Sequence, residues 1–144
     1  MMKTICVGVL LGMSALTCVV AAEEPPFKVI EVQQTGGFAG VKISYRITPD
    51  GNFRRQSERG KVVGELEKKE LAALIKAIKE IDWKTLPKEL RDPNVADDFR
   101  YDMHVVIGKT THRAIADGVS AGKHPQWKTI LKTLVKIQRQ PVKR

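Results

Sequence analysis

The chain has 144 residues, 42% of them hydrophobic and 28% charged, and a formal net charge of +9. That length suits one domain able to bury a core; it is too short for a large multidomain enzyme and the chain is too polar for a polytopic membrane protein. Hydrophobic content argues against wholesale disorder, and eleven glycines with seven prolines do not make a collagen-like or low-complexity chain.

Residues 1–22 (MMKTICVGVLLGMSALTCVVAA) hold one charge, Lys3, before an apolar run that ends in small residues. Val20-Ala21-Ala22 offers short side chains where a signal peptidase inspects them, and Glu23-Glu24 opens a polar chain. The segment reads as a secretory signal peptide cut after Ala22 rather than as a retained anchor. Cys18 follows Leu16-Thr17, a poor match to a lipoprotein signal. Residues 23–144 then form a single domain with a short basic C-terminal tail, exported to the periplasm or the medium, with no membrane span left after cleavage. Both cysteines, Cys6 and Cys18, leave with the signal, which excludes a disulfide framework, a cysteine nucleophile and a cysteine-based zinc site. Losing Lys3 lowers the net charge from +9 to +8.

Residues 27–34 (FKVIEVQQ) are rich in β-formers and predict a strand, which Thr35-Gly36-Gly37-Phe38-Ala39-Gly40 interrupts. Val41, Ile43, Tyr45 and Ile47 alternate with polar residues, the period of a strand with one buried face. Pro49-Asp50-Gly51 is a turn, and residues 52–57 return as a third strand. Residues 58–64 fit either an extension of that strand or a loop. Leu71, Leu74, Ile75, Ile78 and Ile81 mark one face of a helix over about 67–81, with Trp83 and Leu86 packing just beyond it. Residues 87–97, with two prolines, read as a loop.

Phe99, Tyr101, Met103, Val105 and Ile107 give the clearest strand. Gly108-Lys109 fits a type II′ hairpin turn, with 110–116 as the return strand. A polar connection runs from Asp117-Gly118 through 124. Pro125 suits a helix first turn, and Trp127, Ile130, Leu131, Leu134 and Ile137 follow at helical spacing. The order β-β-β-α-β-β-α predicts an α+β domain, an antiparallel sheet with two helices packed on one face.

Few residues point to chemistry. His104 and His112 lie on the two strands of one hairpin, where Asp102 would complete a zinc site, but surface histidines on a wet sheet face are the simpler reading. Asp97, Asp98 and Asp102 sit beside Arg100 with no sign of paired acid–base work. No nucleophile elbow, His-Glu-x-x-His, phosphate loop or dinucleotide fingerprint occurs, so no catalytic residue, metal ligand or cofactor is expected and the chain is not read as an enzyme.

Two surfaces stand out. Lys123–Arg144 carries no acidic residue, and Lys128, Lys132 and Lys136 fall on the outer face of the closing helix, a surface suited to lipid head groups or a wall polymer. Arg54-Arg55, Arg59 and Lys61 form a second basic cluster near the third strand. Nucleic acid is not expected as a partner of an exported protein. At Gly36, Gly37, Phe38, Ala39 and Gly40, three glycines surround one aromatic. Glycine permits positive φ and close backbone approach, so this is either a tight tip with Phe38 folded onto the core or a tip that presents Phe38 to a partner.

The ordered set resembles the emfourin family, small inhibitors of thermolysin-like metallopeptidases. The residues that carry the resemblance are Gly36-Gly37-Phe38-Ala39-Gly40 after an opening strand, a helix ending near Leu86-Pro87, Ala96-Asp97-Asp98-Phe99-Arg100-Tyr101-Asp102-Met103 entering a hairpin, His112-Arg113, and Asp117-Gly118 before a closing helix. It spans about residues 28–138. The resemblance implies an α+β domain that is not an enzyme and takes a zinc peptidase as its partner rather than binding a metal itself; the chain by itself is expected to be a monomer. Thermolysin-like enzymes have an apolar pocket beside the catalytic zinc, and the 36–40 tip, with Phe38 as anchor, is the segment expected to fill it. The loop 88–98, with Leu90, is the second choice. Strong basicity, the signal peptide and the stretches 52–64 and 118–124 depart from the family pattern.

Overall fold

A computed structural model describes residues 25–141. The segment read as a signal peptide, both cysteines, and the basic residues Lys143 and Arg144 lie outside the described residues. The described elements are β1 (Val29–Gly36), β2 (Val41–Ile47), β3 (Asn52–Ser57), β4 (Gly60–Glu65), α1 (Lys68–Glu80), β5 (Glu89–Leu90), β6 (Phe99–Ile107), β7 (Thr110–Asp117), α2 (Gly118–Lys123) and α3 (Pro125–Gln138). The strands form one sheet in the order β4-β3-β2-β1-β6-β7-β5. Every pairing is antiparallel except β5 with β7. The domain is therefore α+β, as the strand periodicity predicted.

Alternation divides the sheet into two unlike faces. Ile30, Val32, Tyr45, Ile47, Met103 and Val105 point inward and are buried. Against them pack Leu74 and Ile78 of α1 and Trp127, Ile130, Leu134 and Ile137 of α3, all essentially without solvent contact. The opposite face carries Glu31, Lys42, Arg46, Arg54, Asp102 and Arg113 and has no helix over it among the described residues. Arg55 belongs to the covered face. Its guanidinium donates to the Ile137 carbonyl at 3.2 Å and to that of Gln138, so a buried cation meets the negative end of α3. The basic cluster expected around strand three is thus divided, with Arg54 on the open face and Arg55 inside.

Three expectations are corrected. Residues 58–64 neither extend β3 nor form a loop: the chain turns at Glu58-Arg59 and returns as β4, with Gly60 at φ +123 and Val62 buried. Gly60 and Gly64 leave β4 without a hydrophobic alternation, which hid it in the sequence. The loop 87–97 contains β5, which pairs parallel with Ile115 and Ala116. The connection 118–124 contains α2, so the described residues hold three helices instead of two. Asp117 caps α2 by accepting the Ser120 N–H at 2.6 Å. Strand β1 also begins later than expected, although Phe27 before it is fully buried.

Candidate functional site

The register of β1 builds the site. Gly36 lies opposite Val41 of β2 on one side and opposite Phe99 of β6 on the other. Between Gly36 and Val41 the chain turns through Gly37-Phe38-Ala39-Gly40, closed by the Gly40 N–H donating to the Gly37 carbonyl at 3.0 Å. Gly36 and Gly37 both have positive φ, +97 and +72. A Cβ on Gly36 would lie 2.8 Å from the Asp98 carbonyl oxygen, and one on Gly37 would lie 2.7 Å from the Phe99 ring. Backbone conformation and close approach therefore both require glycine here.

The consequence falls on Phe38. Phe99 occupies the space beneath the turn, and the Phe38 side chain projects outward, 103% exposed. Of the two placements weighed for this side chain, folded onto the core or projecting from the tip, the structure has the projecting one. An isolated, fully exposed aromatic loses the stabilisation of burial, about 1.5–3 kcal/mol for a large apolar side chain.

Both flanks of the tip are hollow. On the β2 side lies a groove of about 430 Å³ lined by Gly40, Lys42, Arg55, Arg59 and Gln138 among others. On the β6 side lies a smaller hollow of about 120 Å³, lined by Leu90, Asp97, Asp98 and Phe99. The loop 88–98, considered separately in the sequence, thus borders the same end of the sheet as the tip.

That loop is held by carboxylates. Asp98 accepts the Val119 N–H at 2.8 Å, and its oxygens lie so near Gly118 that a Cβ there would approach to 2.9 Å. In return Asp117, at the start of α2, accepts the Asp92 N–H at 2.5 Å as well as the Ser120 N–H. Burial pushes the Asp117 carboxyl up, but these backbone N–H bonds outweigh it and hold it below the usual carboxylate range. Asp97 takes φ +61 at the same corner. The motifs Asp97-Asp98 and Asp117-Gly118 therefore form a reciprocal clasp, which spacing in sequence did not disclose.

The remaining sequence candidates separate. His104 points to the open face, 3.1 Å from Asp102, while His112, opposite Val105, points to the covered face and stacks on Trp83 with ring centroids 5.0 Å apart. The two histidines are on opposite sides of the sheet. Asp102 is engaged by Arg113, whose hydrogen bonds hold its carboxyl low. Among the described residues no group of three or more His, Cys, Asp or Glu side chains gathers to hold a metal.

On α3, Lys128, Lys132 and Lys136 are exposed on one face, but they are not equivalent. Lys136 reaches back to α1 and pairs with Glu67 at 3.5 Å and with Glu70. Leu131 and Val135 lie between the lysines, and together with Arg139 they line a shallow depression of about 510 Å³. Among the described residues no helix is long and apolar enough to cross a membrane. Compared with family models and with curated proteins, the chain matches none.

Proposed function

We propose that this chain is a protein-binding domain, not an enzyme, that inhibits a thermolysin-like zinc metallopeptidase through the 36–40 tip. The single observation that carries the reading is Phe38, fully exposed on a turn whose three glycines have positive φ. The glycines let the backbone approach a partner closely, and an aromatic anchor fills an apolar pocket. The inhibitor acts outside the cytoplasm, after residues 1–22 are removed. Its test is inhibition of a panel of thermolysin-like enzymes by wild type and Phe38→Ala. The substitution should weaken inhibition by about thirtyfold, roughly 2 kcal/mol, while thermal unfolding stays unchanged. A wild type that inhibits none of the panel would overturn the reading. Equal inhibition by both proteins would move the contact to the 88–98 loop.

A second reading is a binding module for an anionic surface. It is favoured by Leu131 and Val135 set between Lys128, Lys132 and Arg139 on α3, an arrangement that suits an interface with anionic lipid. Reversing Lys128, Lys132 and Lys136 to glutamate should then abolish salt-sensitive binding to vesicles containing anionic lipid. No binding by the wild type at low salt would remove this reading.

A further inference from the structure

Strand β4 is one edge of the sheet, and among the described residues nothing pairs with its outer side. The β3–β4 register places Asn52 opposite Glu65 and Ser57 opposite Gly60, and it continues in the Leu66 N–H, which donates to the Gly51 carbonyl at 2.9 Å. Backbone groups alternate direction along a strand. Residues 60, 62 and 64 therefore turn theirs toward β3, and Lys61, Val63 and Glu65 turn theirs outward. The same three side chains lie on the open face of the sheet. Val63 is 56% exposed there, although an apolar residue on a free edge invites pairing.

We propose that β4 pairs antiparallel with β4 of a second copy of this chain, about a two-fold axis at Val63. The segment Lys61-Val62-Val63-Gly64-Glu65 is complementary to itself in this register. Lys61 falls opposite the partner's Glu65, Glu65 opposite the partner's Lys61, and Val63 opposite the partner's Val63. Opposed residues have the same backbone direction, so Lys61, Val63 and Glu65 each find a hydrogen-bonding mate. On the covered face, Val62 falls opposite the partner's Gly64, beside the Phe53 ring that lies over that glycine. A two-fold contact requires one patch to serve both copies, and a charge pair of opposite sign at each end with an apolar centre meets that requirement. The result is one continuous sheet across both copies. A shift by one residue would lose the backbone mates and set the side chains on the wrong faces.

The test is sedimentation velocity of the protein as isolated, from micromolar to near-millimolar concentration at physiological salt, where repulsion between two basic chains is screened. Wild type should show a concentration-dependent dimer. Lys61→Glu puts carboxylates opposite one another at both ends and should raise the dissociation constant at least tenfold, as should Glu65→Lys. The double exchange Lys61→Glu with Glu65→Lys should restore dimerisation. Val63→Pro removes an N–H that β3 does not use and should leave a folded monomer. Because Lys61 and Glu65 are exposed, the exchange remains informative even where the proline variant fails to fold. A wild type that stays monomeric throughout overturns the proposal, and so does a dimer that Lys61→Glu leaves intact.

Discussion

The two edges of the sheet are built from opposite materials. At one, β5 is only two residues long and runs between Pro87 and Pro93. It is fastened by the Ile115 N–H donating to the Lys88 carbonyl at 2.9 Å, by the Asp92–Asp117 bond, and by Lys123 against Asp92 at 3.2 Å. At the other, β4 is six residues long and contains no proline. Its outward side chains are a lysine, a valine and a glutamate. Short length and proline make the first edge a poor template for another strand. The second has the length and the free backbone groups that make a good one. An edge closed by its own chain depends on side-chain acceptors, whereas an edge left open depends on how its strand packs against the rest of the sheet. The two should therefore fail under different perturbations.

The largest effect is expected at the open edge. Phe53 is buried, and its ring lies over Gly64, where an added Cβ would come within 2.6 Å of it. Phe53→Ala removes the ring that ties β4 to the core and should cost about 3–5 kcal/mol in denaturant unfolding. Gly64→Val should displace the ring instead, at about 1–3 kcal/mol. If Gly64→Val left stability unchanged, the ring would be free to move and β4 would be held by backbone bonding alone.

The same contrast explains what the sequence disclosed. Strands β2 and β6 were legible because Val41–Ile47 and Phe99–Ile107 bury every second residue, and α3 because Trp127, Ile130, Leu134 and Ile137 recur on one face. β4 was not legible, since Gly60 and Gly64 occupy covered-face positions and Phe53 supplies the apolar surface from the neighbouring strand. β5 was illegible for another reason: two residues carry no period, and their pairing with β7 depends on carboxylate bonds across more than twenty residues. The tip was visible as glycine around Phe38. Which way Phe38 points was not, because that is decided by Phe99 filling the space beneath Gly37, and the β1–β6 register that places Phe99 there cannot be read locally.

At the closed edge, Asp117→Ala should cost about 1–2 kcal/mol, the value of a helix N-cap with a second acceptor bond lost beside it. Hydrogen exchange should show amides of 88–98 and the first turn of α2 losing protection, with the β3–β4 hairpin unaffected. Acid should act at the same place. Asp117 is held low by its bonds to backbone N–H groups, and Asp92 is held low by the Asn94 N–H first and by Lys123 next. A carboxyl whose folded value lies below its unfolded value of about 3.9 contributes fully above that pH, and its contribution is lost as the pH falls through the folded value. Asp50, at the β2–β3 turn, is held low in the same way by Thr48 and then by the Asn52 N–H, so the start of β3 responds too. Protection at 88–98 should therefore decline before protection of β4 and of β3 beyond Asn52 as the pH is lowered past about 4. Simultaneous loss would show that the two edges unfold as one unit.

The smallest effect distinguishes the clasp from mere charge pairing. Arg100 and Glu89 lie 3.6 Å apart across the closed edge, but about half of each side chain is in solvent, 51% and 46%. Water screens such a pair, and holding two long side chains together has an entropic cost, so exposed pairs contribute roughly 0.2–1 kcal/mol and often less. A double-mutant cycle with Arg100→Ala and Glu89→Ala should give a coupling below about 0.5 kcal/mol that vanishes in high salt. The Asp117 effect should persist in that salt, because its acceptors bind backbone N–H groups in a half-buried corner. Coupling above about 1 kcal/mol would mean that β5 is held to the sheet by its ion pair, and the closed edge would then be a salt-dependent device in place of a backbone-anchored one.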